Sequence, residues 1–178
     1  MSGATRGAAA LDPAALARVR LLVLDVDGVL TDGRLFYGPK GEQLKAFHVR
    51  DGHGIKQVAA AGITVAIISG RKSAAVLRRA KELGIRHVTQ GANDKLAALR
   101  KLAKARGVSL EECACVGDDT PDAPILAAAG VGVAVADAHE DALAVADLVT
   151  SRAGGQGAVR EVCDWLIGAR QSAKGKST

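Results

Sequence analysis

Side chains that could do chemistry follow four apolar runs of the sequence, each close to the point where the run ends. Asp25 and Asp27 follow the first run, Ser69 follows the second, Lys95 lies behind the third and Asp118 follows the fourth. In an open α/β sheet, ligands bind in the crevice at the carboxyl ends of the strands. If the runs are strands of one sheet, these side chains form a single site at its edge.

Carboxylates dominate this set, and several of them at one edge would repel one another strongly unless a cation lay among them. Oxygen-only ligands of this kind suit Mg²⁺. We therefore expect Asp25, Asp27 and Asp118 to bind Mg²⁺. Asp119 and Asp122, in the same acidic turn, are expected to hold the ligands and their waters in place.

A magnesium site with one free carboxylate nucleophile is a site for phosphoryl transfer. Asp25 is the expected nucleophile, because carboxylates form aspartyl-phosphate intermediates. Asp27, two residues later, could protonate the leaving alcohol and then deprotonate water. The Ser69 hydroxyl and the Lys95 ammonium would hold the phosphoryl oxygens. Each pattern alone is usually a solvated turn or a helix start, and only their order along the chain indicates this chemistry.

The elements that must position these residues alternate along the chain. Amphipathic helical patterns separate short apolar runs, and continuous runs of this kind are typical of strands buried on both faces of a parallel sheet. The runs are residues 21–24, 63–68, 86–89, 113–116, 131–135 and 148–149. The alternation predicts an α/β fold with a doubly wound, Rossmann-like and mostly parallel sheet.

One stretch, residues 33–49, interrupts this alternation. It has strand-like pieces on either side of Gly38-Pro39-Lys40-Gly41, which predicts an inserted β-hairpin. Near the other end, the glycine-rich residues 152–157 predict a flexible link to a last helix over 158–169. The domain organisation expected from these patterns is a disordered leader over 1–10, a single domain over 11–170 and a flexible tail over 171–178.

Composition narrows the class of partner. The 178 residues carry a net charge of +5, but the basic residues are dispersed and aromatic residues make up only 2%. We therefore do not expect the protein to recognise nucleic acid by base stacking. The expected ligand is an anionic small molecule. No apolar run approaches the roughly 18 residues of a membrane span. Three cysteines, an odd and low number, favour the reducing cytoplasm.

The order of these motifs resembles that of the haloacid dehalogenase-like phosphatases. The shared pattern is DxDGVLTD from Asp25, a hydroxyl-Gly-Arg triplet from Ser69, then Lys95, and GDDxxD around Asp118. Three longer segments are similar to the 3-deoxy-D-manno-octulosonate 8-phosphate (KDO 8-phosphate) phosphatases within that superfamily. These segments are FHVRDGHGI at 47–55, VAVADAH at 133–139 and RAGGQGAVREVCD at 152–164.

The resemblance, which covers about residues 21–167, implies a cytoplasmic enzyme of lipopolysaccharide core-sugar synthesis. It implies Mg²⁺-dependent hydrolysis of KDO 8-phosphate to KDO and phosphate through an aspartyl-phosphate. It also implies a homotetramer in which the hairpin replaces a cap domain and Arg50 reaches the active site of a neighbouring subunit. The expected substrate-binding residues are Asp27, His48, Val49, Arg50, Asp51, Gly52, Lys56, Gly70, Arg71, Arg79 and Lys95. His48 and Lys56 depart from the usual Asn and Arg of the family, which bears on substrate preference.

Two alternative functions are compatible with parts of this pattern. A phosphatase of a nine-carbon ulosonate 9-phosphate would have the same fold and metal. A response-regulator receiver domain, which is not an enzyme, also combines clustered Asp, a hydroxyl residue and Lys. Its phosphoacceptor follows the third strand, whereas the third run here ends in Thr89-Gln90-Gly91 without an Asp.

Overall fold

The computed structural model describes residues 13–175 of the chain. In chain order its elements are α1 (Pro13–Arg18), β1 (Leu21–Leu24), β2 (Phe36–Gly38), β3 (Gly41–Leu44), α2 (Val49–Ala60), β4 (Thr64–Ser69), α3 (Ala74–Leu83), β5 (His87–Gln90), α4 (Lys95–Arg106), β6 (Cys113–Gly117), α5 (Ala123–Ala128), β7 (Val131–Ala134), α6 (Glu140–Val145), β8 (Leu148–Val149) and α7 (Ala158–Gly175). Short 3₁₀ turns at Leu110–Glu112 and Thr120–Asp122 lie on either side of β6.

Six strands form one parallel sheet in the order β5-β4-β1-β6-β7-β8. The six predicted apolar runs become these six strands, and their ends differ from the prediction by at most one residue. Strand β1 lies near the middle, where Leu21 pairs with Thr64 of β4 on one side and Cys113 of β6 on the other. The carboxyl ends of β1, β4 and β6 are therefore neighbours.

Helices cover both faces of the sheet, which confirms the doubly wound architecture. Leu22 and Leu24 of β1 belong to a core layer shared with α1, α2, α3 and α7. Leu21 and Val23, which point to the opposite face, pack with α4, α5 and α6. Because alternate residues of one strand are buried on opposite faces, the strand is apolar along its whole length.

The inserted hairpin is also confirmed. Strands β2 and β3 pair antiparallel, with Phe36 opposite Leu44 and Gly38 opposite Gly41. Between β1 and β4 the chain holds this hairpin and α2, so a hairpin takes the place of a cap domain. The paired part of the hairpin is shorter than the predicted 33–49, because α2 already begins at Val49. The imidazole of His48 caps this helix by accepting a hydrogen bond from the Arg50 N–H.

The last helix is longer than predicted, and it extends into the residues expected to form a flexible tail from residue 171. Helix α7 continues through residue 169 to Gly175. The guanidinium of Arg170 donates to the carbonyls of Ala61 and Val19 at 2.6 and 2.8 Å, which ties the end of α7 to the body of the domain. The predicted leader over 1–10 and the last three residues lie outside the described part of the chain.

No helix within residues 13–175 is both long enough and apolar enough to cross a membrane.

Candidate active site

The predicted catalytic residues meet at the carboxyl edge of the sheet. Asp25 follows β1, Ser69 ends β4, Asp118 follows β6 and Lys95 is the first residue of α4. These four side chains lie in one cavity of about 190 Å³. The full lining consists of Asp25, Asp27, Ser69, Gly70, Arg71, Lys95, Asp118, Asp119, Pro121 and Asp122.

The ammonium of Lys95 lies between two buried carboxylates. Its Nζ is 2.8 Å from Asp25 Oδ1 and 2.6 Å from Asp122 Oδ1. All three side chains are at most 7% exposed, so solvent screens these contacts little. The carboxylate of Asp94 caps α4 by accepting from the Ala97 N–H at 2.8 Å, which fixes the turn that carries Lys95.

Three carboxylates form the group that could hold a metal ion. One oxygen each from Asp25, Asp118 and Asp122 lies within 4.8 Å of the others. Gly28 packs directly on this group, because a Cβ at position 28 would lie 1.9 Å from Asp118 Oδ2. Its φ of +91° also belongs to the left-handed region that favours glycine. All the candidate ligand atoms are carboxylate oxygens, and the backbone of Gly28 packs closely against them. Ligands of this kind fit Mg²⁺.

The side chain of Asp27 lies outside this group of carboxylates, and its contact with Mg²⁺ stays a prediction. Its Oδ1 contacts the ammonium of Lys45, and its Oδ2 is 3.7 Å from Arg71 Nε. The two cations draw this carboxylate toward the hairpin side of the cavity. Asp122 lies inside the group instead, and its Oδ2 accepts from the Asp118 N–H at 3.3 Å.

Burial and mutual repulsion raise the pKa of two of these carboxyls. Burial, together with the charges of Asp25 and Asp122, raises the pKa of Asp118 to about 8. Burial and the charge of Asp122 raise the pKa of Asp25 to about 6, against the opposing effect of Lys95. Burial alone would lower the pKa of Lys95, but the two adjacent carboxylates raise it. A divalent cation at this site would relieve the repulsion among the carboxylates.

Mg²⁺ is therefore expected to stabilise the protein more at high pH than at low pH. A carboxyl with a raised pKa binds more protons in the folded than in the unfolded state, so its contribution to stability is lost as pH rises through about 8. Mg²⁺ must displace these protons in order to bind, and fewer of them are bound at high pH. The rise in melting temperature that Mg²⁺ causes should therefore be larger at about pH 8.5 than at about pH 6. Thermal unfolding with and without Mg²⁺ measures this, and Asp118→Asn should remove most of the difference. Equal Mg²⁺ effects at both pH values would contradict the placement of the ion.

Two side chains of the hairpin contact residues that line the cavity, and no sequence pattern pointed to either. The aliphatic stem and ammonium of Lys45 are buried against Asp27. The hydroxyl of Tyr37 accepts a hydrogen bond from Arg71 Nη2 at 3.3 Å. A lysine and a tyrosine in a predicted hairpin are ordinary residues, and only the tertiary packing shows what they contact.

Several predicted substrate-binding residues lie away from the cavity within this chain. His48, Val49, Arg50 and Lys56 lie at the start and on the surface of α2, where Val49 is 79% exposed. Arg50 lines a separate surface cavity of about 610 Å³, to which Arg152 and Arg160 also contribute. Contacts of these residues with a substrate stay a prediction.

Asp51 and Gly52 are buried and have structural roles within this chain, and their contact with substrate stays a prediction. Asp51 is 1% exposed and accepts a hydrogen bond from the Arg160 N–H in the first turn of α7 at 2.8 Å. A Cβ at Gly52 would lie 2.3 Å from Arg79 Nη2, so this position must be small for Arg79 to pack there. The guanidinium of Arg79 lies 5.9 Å above the ring of Phe47, beside Gly52 and not in the cavity.

Comparison with known proteins agrees with this geometry. Residues 87–162 match the family model for haloacid dehalogenase-like hydrolases. The 3-deoxy-D-manno-octulosonate 8-phosphate phosphatase KdsC of Escherichia coli K12 is 51% identical over 162 residues, which are 89% of this chain and 86% of that protein.

Two solved structures superpose on nearly the whole chain. The 3-deoxy-D-manno-octulosonate 8-phosphate phosphatase of Moraxella catarrhalis, in complex with magnesium, phosphate and KDO, is 43% identical with a TM-score of 0.87 and covers 93% of this chain and 97% of its own. The cobalt-bound phosphatase of Haemophilus influenzae is also 43% identical, with a TM-score of 0.86 and coverage of 92% and 96%. With this identity along nine-tenths of its length and a magnesium-type carboxylate group at the expected strand ends, the chain belongs to the 3-deoxy-D-manno-octulosonate 8-phosphate phosphatase family of haloacid dehalogenase-like hydrolases.

Proposed function

We propose that this protein hydrolyses KDO 8-phosphate to KDO and inorganic phosphate in an Mg²⁺-dependent reaction. The observation that carries the proposal is the buried Asp25 carboxylate, held by Lys95 and grouped with Asp118 at the carboxyl edge of the sheet. A nucleophile, a cation for the phosphoryl oxygens and a metal-binding carboxylate are together the parts that phosphoryl transfer needs. Family membership supplies the sugar phosphate as the substrate.

The reaction takes two steps, and Asp27 moves a proton in each. The Asp25 carboxylate attacks phosphorus, the bond from phosphorus to the sugar oxygen breaks, and that oxygen takes a proton from Asp27. Water then attacks the aspartyl-phosphate as Asp27 accepts its proton, which releases phosphate and restores the Asp25 carboxylate. Lys95, bound to Asp25 Oδ1, fixes the orientation of the nucleophile.

The remaining residues stabilise the negative charge of the phosphoryl group. The Ser69 hydroxyl accepts from the Arg71 N–H at 3.4 Å and can donate its own hydrogen to a phosphoryl oxygen. Asp25 and Asp118 would hold Mg²⁺, with Asp122 placing both Lys95 and the Asp118 backbone. When bound, Mg²⁺ neutralises negative charge on the phosphoryl oxygens.

A panel of substrates tests this function. Phosphate release is measured with KDO 8-phosphate, a nine-carbon ulosonate 9-phosphate and aldose phosphates, each with Mg²⁺ and with excess chelator. The highest kcat/KM is expected with KDO 8-phosphate, and chelation should abolish turnover. Faster hydrolysis of the nine-carbon substrate would favour the alternative within the family. Full turnover in chelator, or none of KDO 8-phosphate, would contradict the proposal.

We also propose a cytoplasmic homotetramer with shared active sites. The hairpin and its surroundings expose large apolar side chains, an arrangement typical of an interface. These side chains are Leu35, Phe36, Tyr37, Leu44, Val49 and Leu77. Arg50 lies outside the Asp25 cavity of its own chain, which is consistent with a contribution to a neighbour. The three buried free cysteines suit a reducing compartment.

Mixed subunits are expected to show whether sites are shared. Asp25→Asn keeps Arg50 but lacks the nucleophile, and Arg50→Ala keeps the nucleophile but lacks the group it would lend. Tetramers assembled from both variants should contain active sites that combine an intact Asp25 with an intact Arg50 from the neighbouring subunit. These tetramers should be more active than either parent variant. The mixture is prepared by co-expression and assayed beside each parent at equal concentration. Activity no higher than the mean of the two parents would mean that each site is built within one chain.

A further inference from the structure

The link between β8 and α7 lies directly on the turn that carries the catalytic aspartates. We call residues 152–157 the glycine strap. The Gly155 N–H donates to the carbonyl of Val29 at 2.9 Å, and the Gly154 N–H donates to Asp137 Oδ1 at 2.9 Å. The prediction of a flexible link at this position is therefore corrected, because the strap is hydrogen-bonded to two separate parts of the domain.

The strap approaches this turn so closely that neither Gly154 nor Gly155 has room for a side chain. A Cβ at Gly154 would lie 1.6 Å from the carbonyl oxygen of Gly28, and a Cβ at Gly155 would lie 2.4 Å from the Asp32 nitrogen. Both distances are far below any real contact between non-bonded atoms. The atoms that would be struck are backbone atoms, which cannot swing aside as a flexible side chain can.

The same turn also packs against the carboxylates that could hold a metal ion. Gly28 packs on the carboxylate of Asp118. The strap, the turn at residues 26–31 and Asp118 thus form a continuous series of close contacts. Packed protein interiors transmit a displacement because they are nearly incompressible. A shift of the strap must therefore change how Asp25 and Asp27 lie relative to Asp118.

Both ends of the strap are held by the domain. On one side, Ser151 donates through its backbone N–H and its hydroxyl to the carboxylate of Glu161, at 2.9–3.1 Å. On the other side, the buried Asp51 accepts from the Arg160 N–H at the start of α7. The segment around Asp51, which the resemblance singled out but the cavity does not contain, thus anchors the helix that follows the strap.

We propose that Gly154 and Gly155 are positioning residues for phosphoryl transfer, which hold the turn of Asp25 and Asp27 in register with Asp118. Only the catalytic readout of this inference rests on the proposed function. Displacements of about 1 Å at a reacting group can lower the rate by about 10²-fold even when the changed residue never touches substrate. The strap is thus a determinant of kcat and of Mg²⁺ binding, and not of sugar recognition.

Gly154→Ala tests the proposal, with Gly168→Ala on α7 as the matched control, since a Cβ at position 168 meets nothing within 4 Å. Gly154→Ala should lower kcat by about 10- to 100-fold and weaken Mg²⁺ binding several-fold, while KM for KDO 8-phosphate changes less than about twofold. Gly168→Ala should match the wild type in all three quantities. Mg²⁺ binding is measured by isothermal titration calorimetry, and folding by circular dichroism well below the melting temperature.

A second variant covers the case in which Gly154→Ala fails to fold. Asp137→Ala removes the acceptor for the Gly154 N–H without adding bulk, and it should weaken Mg²⁺ binding and kcat in the same direction by a smaller factor. A folded Gly154→Ala protein with wild-type Mg²⁺ affinity and kcat would overturn the proposal. So would an unfolded Gly154→Ala together with a wild-type Asp137→Ala. If the wild type released no phosphate from KDO 8-phosphate, the proposed function would fail, whereas the calorimetric comparison would still decide the role of the strap.

Discussion

Asp25→Asn is expected to lower phosphate release from KDO 8-phosphate by at least about a thousandfold, roughly 4 kcal/mol of barrier. An amide nitrogen or oxygen is a poor nucleophile toward phosphorus, and the substitution also removes one charge from the carboxylate group that would bind Mg²⁺. The amide has nearly the same size as the carboxylate, so the buried position stays filled. Steady-state phosphate release under saturating Mg²⁺ measures the loss.

An exposed carboxylate provides the control for this substitution. Glu111 lies on the surface within the short 3₁₀ turn before β6, away from the cavity, and Glu111→Gln should keep wild-type activity. If Asp25→Asn retained more than about a thousandth of wild-type activity, Asp25 would not be the nucleophile. The carboxylate would then have to act through the metal ion, and another group would have to attack phosphorus.

Lys95→Met is expected to have the second largest effect, on both activity and stability. The buried ammonium compensates two carboxylates at 2.8 and 2.6 Å, and removal of one partner from a buried ion pair typically costs about 3–5 kcal/mol. Loss of a cation that stabilises transition-state charge should also lower kcat by at least about 10²-fold. Denaturant unfolding in the absence of Mg²⁺ and phosphate release in its presence measure the two effects separately.

Substitutions in α4 and in the 3₁₀ turn after β6 allow this interpretation to be checked. Lys101→Met, at an exposed position of the same helix, should leave both quantities unchanged. In the Lys95→Met background, Asp122→Asn removes one of the two uncompensated carboxylates and should restore part of the lost stability but none of the activity. Wild-type stability of Lys95→Met would mean that Lys95 does not compensate these carboxylates.

Much of the site could be predicted from the sequence because it depends on strand ends. Asp25 and Asp118 directly follow continuous apolar runs, and Ser69 ends one. Parallel strands buried on both faces have this pattern, and their carboxyl ends must meet at one edge. The positions of these residues relative to the sheet therefore follow from local sequence alone, without knowledge of any contact between distant residues.

The remaining parts depend on contacts between residues far apart in the chain. Lys45 meets Asp27 only because the hairpin folds back over the cavity, and no spacing rule predicts that contact. The roles of Asp51 and Gly52 are ambiguous in the sequence for a related reason. A carboxylate that caps a distant helix and a carboxylate that binds a ligand look alike in a sequence, and only burial separates them.

The same ambiguity applies to the glycine strap. Consecutive glycines such as Gly154-Gly155 are typical of flexible links, because glycine has the widest conformational freedom. They are equally suited to close approach of two backbones, and the close contact with Gly28 shows that this is their use here. A pattern of residue types predicts that a position is unusual, whereas the structure shows the physical reason.

Detection of a phosphoryl group on Asp25 would test the central claim most directly. Wild-type protein and Asp27→Asn are mixed with KDO 8-phosphate and Mg²⁺, quenched with acid at several times within the first turnover, and digested for peptide mass spectrometry. The account predicts a phosphoryl group on the peptide that contains Asp25, transient in the wild type and longer-lived when Asp27 cannot activate water. Phosphate release through a full turnover with Asp25 unmodified at every time, or with the phosphoryl group on another residue, would contradict it.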